Sequence, residues 1–184
     1  QYPAIIPRDF IDRSSQSDIL ENSRVKIRYV TNYNNPFSWQ ATVNLIEEIS
    51  PEILIIQWAV AVQGLPLGFI SSKIKKKINC EIIFDLHVVE QKEQTSIDKY
   101  FLKYALSNGN TFIVHSPRTI DELRRVFPDW DFGISKNGER VSGKKNILNL
   151  YHAIYDIYKS NIEFSTDGFK RELGLKKHVF LFFG

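Results

Sequence analysis

Polar side chains that could carry acid–base or hydrogen-bonding chemistry follow four apolar runs of this sequence. They form four close pairs: Gln57 and Trp58, Asp85 and His87, His115 and Ser116, and Tyr151 and His152. Three of the chain's four histidines belong to this set. Imidazole exchanges protons near neutral pH and also binds metals. If the apolar runs are strands of one sheet, the shared position of these residues after the runs predicts that one edge of the sheet is chemically active.

Each of these residues also has a structural interpretation. A histidine that ends a strand is often a hydrogen-bonded cap, Trp58 can cover the end of a sheet, and Asp85 can cap a turn. A zinc site made of His87, His115 and His152 is conceivable, but their spacing matches no standard metal motif, and we expect no metal. The residues alone leave the functional and structural interpretations open.

The elements that must position these residues alternate between strands and helices. Apolar runs predict strands at residues 25–30, 53–56, 80–86, 111–114, 147–151 and 178–183. Helical periodicity predicts four helices, which begin near Ser38, Pro66, Ile97 and Ser116. Residues 1–23 form an irregular lead-in without a clear period, and residues 129–145 are predicted to form a polar loop with room for an extra hairpin.

The alternation of these elements predicts the fold class. Strands that are apolar on both faces are typical of a parallel sheet covered by helices. We therefore predict an α/β fold, with a Rossmann-like parallel sheet and helices on both faces. Ligands of such sheets bind outside the carboxyl ends of the strands, which is where the polar pairs lie.

The composition argues against several other classes of protein. The 184 residues carry 24 Lys and Arg against 21 Asp and Glu, and the resulting net charge of +3 is too small to indicate nucleic-acid binding. Residues 53–70 are uncharged and just reach the length of a membrane span, but Gln57, Gln63, Gly64 and Pro66 interrupt them. A strand, a turn and a helix start are predicted there instead. The phosphate-binding and nucleophile motifs of common enzyme families are absent from the sequence.

Cysteine, lysine and methionine usage adds three expectations. The single cysteine, Cys80, cannot form an internal disulfide, which favours a reducing cytoplasm, and its apolar run predicts a core thiol. Lys73, Lys75, Lys76 and Lys77 lie at a predicted helix end, where the helix dipole favours cations; peripheral contact with the anionic inner face of a membrane is the alternative. The chain contains no methionine, so we expect it to be a piece of a longer protein.

Five short motifs follow one another along the chain. They are Pro51-Glu52-Ile53-Leu54-Ile55-Ile56-Gln57-Trp58, Ile82-Ile83-Phe84-Asp85-Leu86-His87, Phe112-Ile113-Val114-His115-Ser116, Tyr151-His152-Ala153-Ile154-Tyr155-Asp156 and Arg171-Glu172-Leu173-Gly174-Leu175. In this order, the motifs resemble the N-terminal domain of family 4 retaining glycosyltransferases, which have the GT-B fold. The resemblance extends over nearly the whole chain.

The resemblance implies a division of the chain and an activity. Residues 1–162 would form the acceptor-side domain, and residues 163–184 the hinge and first strand of a donor-binding domain. The implied reaction moves a hexose, with retention, from a nucleotide-sugar to a saccharide or lipid-linked acceptor in the cytoplasm, with no metal or other cofactor. Without its donor-binding domain the chain is expected to be inactive. A non-catalytic Rossmann-like binding domain and a sugar-nucleotide epimerase are the alternatives.

The resemblance also implies roles for individual residues. His87 would be the catalytic residue, placed near the donor sugar and phosphates. Gln57 and Trp58 would line the acceptor side, because an aromatic face suits a sugar ring. The further substrate-binding candidates are His115, Ser116, His152 and Tyr155.

Overall fold

The fold is described from a computed structural model of the chain, which describes residues 24–90, 95–135, 137–151 and 165–179. The chain divides into two compact units, residues 1–151 and residues 152–184. Several predictions fall outside the described residues: the lead-in 1–23, the domain boundary at 162/163, most of the strand at 178–183, and the positions of His152 and Tyr155. These stay predictions.

The first unit contains a parallel sheet, as the sequence predicts. Its five described strands are β1 (Ile53–Trp58), β2 (Glu81–Leu86), β3 (Thr111–Val114), β4 (Phe132–Ser135) and β5 (Lys145–Asn149). Their spatial order is β1-β2-β3-β5-β4, and every pair of neighbours is parallel. This arrangement with its helices confirms the α/β, Rossmann-like fold class.

Four helices lie near the predicted positions in this unit. They are α1 (Pro36–Ile49), α2 (Gly64–Lys77), α3 (Ser96–Leu106) and α4 (Pro117–Val126), and a 3-10 turn at Ala61–Gln63 precedes α2. α1 precedes β1, and the other three helices connect successive strands. The second unit contributes α5 (Thr166–Glu172). α1 begins earlier than expected because the Asn35 side chain, rather than Ser38, accepts the Phe37 N–H and caps the helix.

Two glycines set the close approach of α2 to α3. A Cβ atom on Gly64 would lie 2.6 Å from the main-chain oxygen of Phe101, and one on Gly68 would lie 2.3 Å from the Tyr104 ring. Both distances are far below van der Waals contact. The missing side chains therefore allow the two helices to pack directly against each other.

Two local predictions are wrong. Residues 25–30, all of them described, form no strand. Lys26 and Arg28 alternate with Val25 and Ile27, and because Val25 and Ile27 stay exposed, the segment buries little apolar surface. The predicted polar loop at 129–145 contains β4, and β4 pairs in parallel with β5 rather than in a hairpin. The chain returns to the start of β5 between Ser135 and Lys145, so that both strands run in the same direction.

The stretch 53–70 consists of β1, the 3-10 turn and the first part of α2, which confirms its predicted division. Among the described residues, no helix has the length and apolar character needed to cross a bilayer. The basic cluster occupies the last turns of α2, as predicted, and Lys77 forms an ion pair with Glu47 of α1 at 2.6 Å.

Candidate functional site

The strand register places four polar side chains on one face of the sheet, at its carboxyl edge. Gln57 of β1 lies beside Asp85 of β2 in the parallel register. Side chains two residues apart share a face of a strand. His87 therefore continues the face of Asp85, and His115 continues the face of Ile113, the β3 partner of Asp85.

These side chains form a continuous hydrogen-bonded chain. Gln57 Nε2 donates to Asp85 Oδ2 at 2.8 Å, and Gln57 Oε1 lies 2.9 Å from His87 Nε2. His115 Nε2 lies 2.7 Å from Asp85 Oδ1, and His115 Nδ1 lies 3.0 Å from the main-chain oxygen of Leu150. We call Gln57, Asp85, His87, His115 and the Leu150 carbonyl the edge network.

The chemistry of the partners determines where the hydrogens of the edge network lie. The Leu150 carbonyl accepts only, so His115 Nδ1 donates to it. His115 Nε2 faces a carboxylate oxygen, which is also an acceptor, so both contacts of the ring are satisfied when Nδ1 and Nε2 donate. Because the Gln57 amide nitrogen donates to Asp85, its oxygen accepts, and His87 Nε2 is a donor.

The edge network has an enclosed part and an accessible part. The side chains of His115 and Asp85 are only 14% and 15% exposed, so their contact is partly shielded from water. His87 is exposed, and its ring stacks on that of His115 with a centroid separation of 5.4 Å. The arrangement thus combines an exposed imidazole, whose Nε2–H donates to Gln57, with a second imidazole that faces two acceptors. To donate to a ligand oxygen that gains negative charge, the His87 Nε2–H would exchange the Gln57 oxygen for the ligand.

The other predicted site residues lie elsewhere or outside the described chain. Trp58 is 1% exposed, because β1 turns Ile56 and Trp58 toward the core and Gln57 the opposite way, so the prediction that its ring lines the acceptor side is wrong. Ser116 lies at the same edge, but its Oγ accepts the Thr119 N–H and caps α4. His152 and Tyr155 lie outside the described residues.

Sequence reasoning underestimated Asp85 and missed the Leu150 carbonyl. Asp85 was expected either at this edge or as a turn cap, yet it is the acceptor that Gln57 and His115 share. The two-residue spacing from Asp85 to His87 was a signal for their common face. Next to Leu150, the Asn149 Oδ1 atom is enclosed and has no hydrogen-bond partner among the described residues, which adds an acceptor to the same edge.

Cys80 contributes no activated nucleophile to this site. Burial raises the pKa of its thiol, and the neighbouring Glu81 charge raises it further. A thiol of raised pKa carries little thiolate at neutral pH, which agrees with the predicted structural role. Among the described residues, no group of three or more His, Cys, Asp and Glu side chains is arranged to hold a metal ion.

A groove of about 480 Å³ lies at the opposite, amino edge of the sheet. Lys145 lines it, donates from Nζ to the Gly109 carbonyl at 2.5 Å and lies over the Trp130 ring at 4.9 Å. Burial lowers the pKa of Lys145, and so does the nearby Lys75 charge, while Glu81 acts in the other direction. None of the edge-network residues lines this groove.

No protein-family model, curated protein or solved structure matches the chain.

Proposed function

We propose that this chain is the acceptor-side half of a retaining glycosyltransferase that uses a nucleotide-sugar donor. The observation that carries the proposal is the orientation of His87 by the edge network at the carboxyl edge of the sheet. The motifs that resemble family 4 glycosyltransferases supply Gln57, Asp85, His87 and His115, and these are the side chains that meet there.

The chemistry of glycosyl transfer gives His87 its proposed role. As the bond to the leaving group breaks, the sugar becomes oxocarbenium-like and negative charge grows on the departing diphosphate. The His87 ring, positioned by Gln57 and stacked on His115, would turn its Nε2–H from the Gln57 oxygen to the departing diphosphate and stabilise the growing charge by hydrogen bonding. Gln57 would position His87, and His115 and Ser116 would border the substrate.

The satisfied contacts of His115 favour a second candidate function. Both of its ring nitrogens face oxygens of the chain itself, Asp85 Oδ1 and the Leu150 carbonyl, as in a histidine that ties strand ends together. In a non-catalytic binding domain the edge network would have only this structural role. The two candidates differ in the effect of removing the exposed His87 ring.

The deciding experiment measures sugar transfer by the full-length protein, including its donor-binding domain. A panel of nucleotide-sugars is tested with saccharide and lipid-linked acceptors, after a thermal-shift screen with nucleoside diphosphates has identified the base. His87→Ala is expected to lower turnover by about 100-fold or more, since one preorganised donor contributes on this order. The matched control is His178→Ala, which removes an exposed histidine of the second unit.

The melting temperature of each variant separates catalysis from folding. We expect His87→Ala to melt within about 2 °C of the parent protein, because its side chain is exposed. Unchanged turnover in a folded His87→Ala protein would remove His87 from the mechanism. Sugar transfer by the 184-residue chain alone would contradict the division of the site between two domains.

A further inference from the structure

A buried carboxylate on α4 holds the segment that follows His87. The Glu122 residue is 3% exposed, and its Oε2 atom accepts the main-chain N–H groups of Val89 at 3.2 Å and Glu90 at 3.3 Å. Its Oε1 atom accepts from Arg118 Nε at 3.0 Å. One side chain therefore ties the main chain just beyond His87 to a helix more than thirty positions later in the sequence.

Two further contacts hold the same segment. The Val89 side chain is fully buried in the core cluster, and Glu90 Oε2 accepts from Arg125 Nε at 2.9 Å and from Arg125 Nη2. At the N-terminal end of this segment, the His87 main-chain N–H donates to the main-chain oxygen of Trp58 at 3.2 Å. His87 thus lies between two main-chain attachments.

The burial of Glu122 makes its contacts with the segment interdependent. A carboxylate that is removed from water must keep its hydrogen-bond donors, because an unpaired buried charge is strongly unfavourable. Arg118 supplies one donor, but its side chain is 81% exposed. Val89 and Glu90 supply the two donors to Oε2. Any displacement of residues 88–90 therefore costs Glu122 two of its partners.

We propose that Glu122 is a positioning residue for His87, which fixes the segment 88–90 so that the imidazole reaches Gln57 and stacks on His115. This inference rests on the proposed function for its catalytic consequence, but the positioning itself is a property of the fold. The hydrogen bonds of Glu122 go to Val89, Glu90 and Arg118 rather than to the edge network, so Glu122 acts on His87 through the main chain.

The first test follows the His87 ring by NMR in the 184-residue chain. The chain has four histidines, so the ¹H–¹³C signals of the imidazoles are few, and His→Gln variants assign them. Glu122→Gln removes the charge and keeps one acceptor oxygen. It is expected to shift the His87 ring signals, whereas Asp121→Asn, a change at the neighbouring exposed position, is expected to leave them unchanged.

The second test measures steady-state kinetics of the full-length protein. Glu122→Gln is expected to lower kcat about 10-fold and to change KM little, because substrate contacts remain while the oriented N–H group is lost. Glu122→Asp, which keeps the charge on a shorter side chain, should recover part of kcat. A role confined to stability would lower the melting temperature and leave both kcat and the His87 signals unchanged.

Amide hydrogen exchange of the unmodified chain keeps the proposal testable if Glu122→Gln fails to fold. The Val89 and Glu90 amides should exchange as slowly as those of the core strands, and rapid exchange would overturn the proposal. Unshifted His87 signals in a folded Glu122→Gln protein would also overturn it. If the full-length protein transfers no sugar, the proposed function fails, while the NMR and exchange results still decide the positioning role.

Discussion

Asp85 offers the sharpest test of the edge network, because two donors depend on its carboxylate. Gln57 Nε2 and His115 Nε2 each contact a different oxygen, at 2.8 and 2.7 Å. Asp85→Asn preserves size and shape but replaces one oxygen with an NH₂ group and removes the charge. One of the two donors then faces another donor, and rotation of the Gln57 amide relieves this conflict only if His87 also changes its tautomer, so that Nε2 accepts.

The magnitude follows from these contacts. A hydrogen bond to a charged group contributes about 1.5–3 kcal/mol, and Asp85→Asn loses one such bond and weakens the other. Residual exposure of the Asp85–His115 pair screens part of this contribution. We expect the free energy of unfolding to fall by about 2 kcal/mol, which lowers the melting temperature of a chain of this size by about 4–8 °C.

Urea unfolding at neutral pH, followed by circular dichroism, measures this loss. The matched control is Asp121→Asn, since Asp121 is 64% exposed and its side chain lies 3.7 Å from Arg124. This control should change stability by less than about 0.5 kcal/mol. If Asp85→Asn is no less stable than the control, the hydrogen-bonding scheme proposed for the edge network is wrong.

Two further predictions test the packing of α2 and the amino-edge groove. Gly64→Ala should destabilise the fold by about 1–3 kcal/mol in urea unfolding, because the added Cβ would lie 2.6 Å from a main-chain oxygen of α3. Helix propensity alone predicts a more stable variant, and that result would contradict this packing. Lys145→Met tests the lowered pKa of Lys145. Between that pKa and the ordinary lysine pKa of 10.5, the unfolded chain binds more protons than the folded chain. The contribution of Lys145 to stability therefore rises with pH in this window. The unfolding free energy of the parent minus that of the variant should therefore become more positive as the pH rises. A difference independent of pH would show that burial does not disfavour the charged amine.

The sheet could be predicted from the sequence because its central strands are apolar on both faces. Residues 111–114 form a strand with the predicted bounds, and the strand predicted at 80–86 begins one residue later. The sequence does not predict β4, because Gly133 and Ser135 interrupt its apolar residues and leave no continuous run like that of the equally short β3. The position of β4 beside β5 depends on tertiary packing, which local periodicity does not contain.

The candidate site was only partly predictable for a related reason. The rule that ligands bind at strand carboxyl ends selected Gln57, His87 and His115, but it does not distinguish the two faces of a strand. In β1 the apolar run hides the alternation, so Gln57 and Trp58 were given the same role although they point in opposite directions. The pairing of Gln57 with Asp85 follows from strand order and register, which only the folded structure gives.

The pairing of Gln57 with Asp85 also has a consequence for folding. A slip of β1 by one residue along β2 would turn Gln57 to the other side and bring the Trp58 indole against the carboxylate. Such a misaligned sheet would leave the Asp85 charge without its Gln57 donor and an indole in water. The polar contacts at this edge therefore penalise misaligned intermediates, so that the correct alignment of the first two strands and the assembly of the reactive groups occur together.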